Sequence, residues 1–113
     1  MEYNLEKRTT EFSKSLISAS RKIVKTSYNQ NIVGQLLRSG TSIGANYREA
    51  NGSVSKKDFS NKIHICKKEA KETLYWLELL SESEPVYSSR ISHLIQEANE
   101  LTLIFSKIAS SSR

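Results

Sequence analysis

An all-α fold, a single antiparallel up-down four-helix bundle, is what this sequence predicts, and three observations predict it. Phe59, Ile63, Cys66, Ala70, Thr73, Leu77 and Leu80 recur at alternating spacings of four and three, the 3.5-residue period of supercoiled helix packing. Three further stretches carry helical stripes of their own, and no stretch alternates with the two-residue period of a strand. The breaks between them are short and hold capping or helix-stopping residues, and short connections make sequential helices antiparallel neighbours.

The first helix is expected over about residues 5–26. Leu5, Thr9, Phe12, Leu16, Ala19, Ile23 and Thr26 form its stripe, and Ile17 and Val24 are expected to widen it. On the opposite side Lys7, Lys14 and Arg21 recur every seven residues, with Lys25 one turn on. This ridge reads either as a solvated outer face or as a binding surface.

Ser27, Tyr28 and Asn29 then form a break rich in capping residues. The second helix, over about 29–51, carries two inward rows. One is Ile32, Leu36, Ser39, Ile43, Asn46 and Ala50; the other is Val33, Leu37, Gly40, Gly44 and Tyr47. Each mid-helix glycine costs about 1 kcal/mol relative to alanine, so Gly40 and Gly44 point to close approach of a neighbouring helix. Gly52 suits the position just past the helix end.

The third helix, over about 55–81, starts at Ser55 with Asp58 three residues on, a capping-box-like pair. Pro85, the only proline, falls where a helix cannot continue. Ser88 or Ser89 is expected to cap the fourth helix, over about 88–109. Its stripe is Ile91, Leu94, Ala98, Leu101, Phe105 and Ile108, with Ile95 and Ile104 beside it.

A chain of 113 residues makes one domain, spanning 1–113. Its 37% hydrophobic content is low for a self-contained globule and implies that burial is completed in an oligomer. A single cysteine, Cys66, allows no disulfide framework within the chain and fits a reducing, cytoplasmic setting. MEYNLEKRTTEF has no apolar run of signal-peptide length, and nothing approaches a membrane span; a soluble protein is expected.

Charge is unevenly spread. Residues 1–71 hold 14 Lys/Arg against six Asp/Glu, whereas residues 72–113 hold three against six. Such asymmetry points to a polyanion partner for the basic part, or to Lys-rich solvated faces. A second basic row runs along the third helix: Lys57, His64, Lys68 and Lys71, with Lys67 adjacent. Glu78, Glu82, Glu84, Glu97 and Glu100 would repel a nucleic acid, so binding should be one-sided.

No catalytic signature is present. His64 and Cys66 are two apart, so on a helix they face different sides and cannot share a metal. Neither Glu69 nor Glu72 is followed three residues later by the His of a di-metal bundle site. No phosphate-loop or dinucleotide-binding glycine pattern exists. The chain reads as a non-enzyme without cofactor or metal, and Cys66, on the heptad seam, as a small core residue.

Two charged flanks stand apart from this pattern. Arg38, Ser42, Ala45 and Glu49 share one side of the second helix, and Lys62, Ile65, Glu69, Glu72 and Trp76 share one side of the third. A flank that mixes Ile and Trp with charges is neither core nor ordinary surface. Arg38 and Lys62 are expected to meet Glu49, Glu69 or Glu72, either across a subunit contact or within one chain, where such pairs fix helix register more than they add stability.

LLRSGTSIGANYREA, followed by SKKDFSNKIHICKKEAKETLYWLELL, resembles the four helix bundle proteins first noticed as products of intervening sequences in bacterial 23S ribosomal RNA genes. The resemblance covers nearly the whole chain. Its matching positions are Arg38, Ser42, Ile43, Asn46 and Glu49, then Phe59, Lys62, Glu69, Ala70, Glu72, Thr73, Trp76 and Leu77. That family is similar to the accessory variability determinant of diversity-generating retroelements, a basic, barrel-like homopentamer that associates with reverse transcriptase and nucleic acid. The resemblance therefore implies a four-helix bundle assembled as a ring, with a pentamer favoured, and no known enzymatic activity.

Two functions follow as expectations. The first is an oligomer that binds nucleic acid, a structured RNA favoured over DNA, through Lys7, Lys14, Arg21, Lys25, Lys57, Lys68 and Lys71. Contacts would be to phosphates and largely indifferent to sequence. The second is a scaffold that binds another protein, for example a reverse transcriptase, with the basic rows solvated or facing an acidic partner.

Overall fold

The computed structural model describes residues 4–111. Among them lie four α-helices and no strand: α1 (Leu5–Lys22), α2 (Gln30–Asn51), α3 (Lys56–Ser83) and α4 (Ser88–Ser111), with a 3₁₀ turn at Pro85–Tyr87. At about 1.5 Å per residue, a 28-residue α3 runs about 42 Å. That length accounts for the longest extent of the molecule, 44 Å against 24 and 20 Å.

The stripes place the core. Leu5, Phe12, Leu16, Ala19 and Ile23 meet Val33, Leu36, Ile43 and Ala50, then Ile63, Cys66, Ala70, Leu77 and Leu80, then Ile91, Leu94, Ala98, Leu101 and Phe105 in one cluster. The whole heptad seam of α3 is buried except Phe59, which is half-buried at the helix start. At the far end of α4 the buried residue is Ala109, and Ile108 is half-buried. A helix of 3.6 residues per turn drifts off a strict 3.5-residue stripe by about 20° per heptad, enough to trade one position for the next.

Register is set by contacts between neighbouring helices. Asn51 Nδ2 donates to Glu6 Oε2 at 2.8 Å and Arg48 Nη2 to Thr10 Oγ1 at 3.1 Å. Gly44 lies against Thr9, and Gly40 against Leu16. Residue numbers thus fall along α2 as they rise along α1. The same holds between α2 and α3, where Cys66 Sγ contacts Ile43 O at 3.5 Å and Thr73 Oγ1 lies 3.0 Å from Ser39 Oγ. The glycines do admit a neighbouring helix, as their cost implied. A Cβ on Gly40 would collide with Leu16 Cδ1, and one on Gly44 would sit 3.1 Å from Thr9 Oγ1.

Three expectations change. First, α1 ends at Lys22, four residues early, because the turn supplies its own hydrogen bonds. Ile23 is extended (φ −89°, ψ 125°). Thr26 Oγ1 then accepts from the N–H of Tyr28 and of Asn29, both at 3.2 Å, while Asn29 Oδ1 accepts from the N–H of Thr26 at 2.9 Å. Such side-chain bonds offer the backbone an alternative to the helix. Second, Ile17 and Val24 do not widen the core stripe; they are 45% and 78% exposed. Ile17 lies on the side of α1 away from its packed stripe, and Val24 lies past the helix end.

Third, no serine hydroxyl cap starts α4. The 3₁₀ turn over Pro85–Tyr87 feeds directly into it, and Ser88 is already helical (φ −58°, ψ −35°). Gly52 stands just past the end of α2, as expected, at φ −91°, and so makes no use of a glycine's left-handed freedom. The expected start of α3 stands: Ser55 Oγ accepts from the N–H of Asp58 at 3.0 Å.

Candidate functional site

Two features of this fold carry candidate function: a network of charges on the α2–α3 flank and the basic rows on α1 and α3. The network forms because α2 and α3 pack along their full lengths in opposed register. That brings Arg38 opposite Glu69 and Glu72, and Glu49 opposite Lys62. Arg38 Nη1 reaches Glu69 Oε1 at 3.4 Å, its Nη2 donates to Glu72 Oε2, and its Nε donates to Gln35 Oε1 at 3.1 Å. Lys62 Nζ pairs with Glu49 Oε1 at 2.8 Å. Trp76 Nε1 donates to Glu72 Oε2 at 3.0 Å.

The Arg38, Lys62 and Glu partners therefore meet within one chain. Glu69 is the buried member, its side chain 9% exposed, whereas Arg38 remains 48% exposed. The Trp76 N–H and the Arg38 guanidinium together hold the Glu72 carboxyl below the usual carboxylate range. Glu72 in turn raises Arg38, and Glu49 raises Lys62. Ser42 and Asn46 stand outside the ion pairs: Asn46 Nδ2 donates to Ser42 O and to Ser42 Oγ, both at 2.9 Å.

The basic rows are exposed throughout: Lys7, Lys14 and Arg21 on α1, and Lys57, His64, Lys68 and Lys71 on α3. Lys25 is exposed too, but it lies in the α1–α2 turn and so does not extend the helical ridge. Lys14 is 3.5 Å from Glu11 on its own helix. The structure does not join the two rows. α1 packs on α2 and α4, α3 packs on the same two helices, and among the described residues no Cα of α1 comes within 8 Å of one of α3. The rows therefore face away from one another.

Two of the long-range links that sequence reasoning missed tie distant elements together. Arg8 clamps α1 to α4, with Nε 2.7 Å from Glu97 Oε2 and Nη2 2.8 Å from both Glu97 Oε1 and Glu100 Oε1. Beside it lies an open groove of about 570 Å³ whose lining includes Lys7, Phe12, Arg90 and His93. The other link is Asn29, fully buried. Its Nδ2 donates to Val24 O at 3.0 Å and to Glu84 Oε2 at 2.8 Å, joining the α1–α2 turn to the end of α3. Nothing in spacing marks either pair, since both are made only by tertiary docking.

Cys66 is buried, and burial pushes its thiol up to about 12, far from the range of a reactive thiolate. Among the described residues no three His, Cys, Asp or Glu side chains are grouped so as to hold a metal. No helix of the described residues is long and apolar enough to cross a membrane.

An all-helical single domain of four helices, with a charged network stapling its central pair, is the class of protein these features define. Residues 1–107 match the family described as 23S rRNA-intervening sequence protein, and the chain belongs to that family. A crystal structure of a protein of unknown function from the S23 ribosomal protein family of Bacteroides thetaiotaomicron is similar over 92% of this chain and 96% of that one. The identity is 36% and the TM-score 0.83. Comparison with curated proteins finds no match.

Proposed function

We propose that this chain is a non-enzymatic, oligomeric, antiparallel up-down four-helix bundle that binds nucleic acid through its basic helix faces, with structured RNA its preferred partner. The observation that carries the reading is the exposed row Lys57, His64, Lys68 and Lys71. Among the described residues, no carboxylate lies within ion-pair distance of Lys57, Lys68 or Lys71. The opposite holds on the α2–α3 flank, where each charge has its partner. Lys68 acts on Glu72 only at longer range. Ammonium groups in a row with no carboxylate at ion-pair distance suit a line of phosphates, and several copies in a ring would multiply a modest patch into a strong field. The family's description, naming a 23S rRNA intervening sequence, supports RNA over DNA.

The expected assembly is a homo-oligomer, with a pentamer favoured. A second reading is a scaffold that binds a protein, for example a reverse transcriptase. It has its own support: Val24, Tyr28 and Val86 are 78%, 82% and 90% exposed, in turns that the Asn29–Glu84 bond brings to one end of the bundle. Charge reversal separates the readings. Lys57→Glu, Lys68→Glu and Lys71→Glu together should abolish RNA binding while leaving the thermal midpoint within a few degrees. Full RNA affinity in that variant would remove the α3 row from the binding surface.

A further inference from the structure

The solvent stripe of α3 changes character at one residue. Read along the helix at alternating spacings of three and four, the exposed positions are Lys57, Asn61, His64, Lys68, Lys71, Tyr75, Glu78 and Glu82. Everything charged before Tyr75 on this stripe is basic, and everything after it is acidic. Tyr75 is itself 53% exposed, an aromatic ring in solvent at the seam between the two signs.

Tyr75 is also held in place. Its ring lies edge-on to that of Trp76, with centroids 5.0 Å apart and planes at 68°. Trp76 is in turn fixed by the bond from its Nε1 to Glu72 Oε2, and Glu72 by Arg38. An edge-to-face neighbour is a favoured aromatic arrangement, and beside it Tyr75 still keeps about half of its surface in solvent. Lys71 is one turn before Tyr75 and Lys68 two turns before, so the helical rise puts them about 6 and 10 Å away along the axis. Lys68 and Lys71 are themselves about 4.5 Å apart along that axis, near enough for their flexible side chains to take neighbouring phosphates.

We propose that the Lys68–Lys71–Tyr75 stripe is a site for an unpaired, single-stranded segment of nucleic acid. Lys68 and Lys71 contact consecutive phosphates, and one unstacked base lies on the Tyr75 ring. Glu78 and Glu82 repel phosphates beyond that point, so the strand ends or turns away at Tyr75. A paired helix offers phosphates to the lysines but no free base to the ring, which makes Tyr75 the residue that distinguishes single from double strands. The α1 row has no aromatic on its helical face, and Glu11 sits among its cations. This site rests on the nucleic-acid reading above and names the substrate class within it.

The test is fluorescence anisotropy of the full chain with a labelled, non-self-complementary 12-nucleotide RNA, alone and annealed to its complement. The variants are Tyr75→Ala, Tyr75→Phe and the pair Lys68→Glu with Lys71→Glu, each checked by thermal melting. Base–aromatic stacking is worth about 1–3 kcal/mol by alanine substitution. Tyr75→Ala should therefore weaken single-strand binding about fivefold or more and leave duplex binding within about twofold, whereas Tyr75→Phe should bind like the wild type. The double charge reversal should weaken both ligands. Unchanged single-strand affinity in Tyr75→Ala, equal loss on both ligands, or failure of Tyr75→Phe to restore binding would each overturn the stacking site and leave phosphate binding standing. A wild-type chain that binds neither ligand would overturn both.

Discussion

Trp76 donates its indole N–H to Glu72 Oε2 one turn earlier on α3, at 3.0 Å, and the Arg38 guanidinium of α2 takes the same oxygen. One carboxylate thus ties an aromatic ring to its own helix and that helix to its neighbour. Trp76→Phe keeps an aromatic side chain and deletes the N–H. It should cost about 1 kcal/mol, the usual net worth of one hydrogen bond. Urea unfolding should show this as a lower midpoint at unchanged slope.

The same carboxylate predicts an acid response. Glu72 is held below its ordinary range in the folded chain, first by Trp76 and then by Arg38. The unfolded chain therefore takes up the proton more readily. Stability from Glu72 is present above the ordinary carboxylate pKa and is lost as pH falls through the lowered one. As pH falls through and below the ordinary carboxylate range, the melting temperature of the wild type should fall more steeply than that of Glu72→Gln. Parallel curves would show that the pair contributes nothing to folding.

The glycines of α2 make a graded series. Gly34 has nothing within 4 Å of an added Cβ, so Gly34→Ala should stabilise by up to about 1 kcal/mol through helix propensity. At Gly44 the nearest atoms are Thr9 Oγ1 at 3.1 Å and Thr9 Cβ at 3.3 Å, and the propensity gain should roughly cancel the crowding. At Gly40 the added methyl strikes Leu16, which is fully buried. Overpacking of about 1–3 kcal/mol should prevail there. Melting temperatures should fall in the order Gly34→Ala, Gly44→Ala, Gly40→Ala.

Arg8 predicts local behaviour. It spans two carboxylates of α4, and Glu97 holds it firmly protonated. Arg8→Lys keeps the charge but loses the two-pronged contact. The first turns of α1 should then exchange amide hydrogens faster, while α2 and α3 keep wild-type protection. Faster exchange throughout would mean that the clamp supports the whole fold.

Much of this was legible from residue spacing, and the exceptions have physical causes. The seam from Ile63 to Leu80 could be read because every turn of a long helix buries the same side. The close approach at Gly40 and Gly44 could be read because an interior glycine has a cost that something must offset. The end of α1 was not legible: Thr26 continues the stripe and Asn29 looks like a cap for the next helix, and only the folded turn shows them bonding each other's backbone. Charge complementarity foretold that Arg38 and Lys62 meet Glu49, Glu69 or Glu72, but not which partner each takes. Arg8 with Glu97 and Asn29 with Glu84 are far apart in sequence and carry no periodic mark. Tyr75 is placed by the α3 repeat, yet its ring gains meaning only once its neighbours are known to be exposed.

The central claim is that the exposed cations of α3 take phosphates, and the most direct measurement is the salt dependence of RNA affinity. Observed affinity for a structured RNA should fall steeply with salt, with a log–log slope of about −2 to −4 if each chain neutralises a few phosphates. Lys68→Glu with Lys71→Glu should flatten that slope by about 2. An affinity that does not change with salt, or no binding at the lowest salt, would contradict the account and leave the basic rows as solvated faces of a protein scaffold.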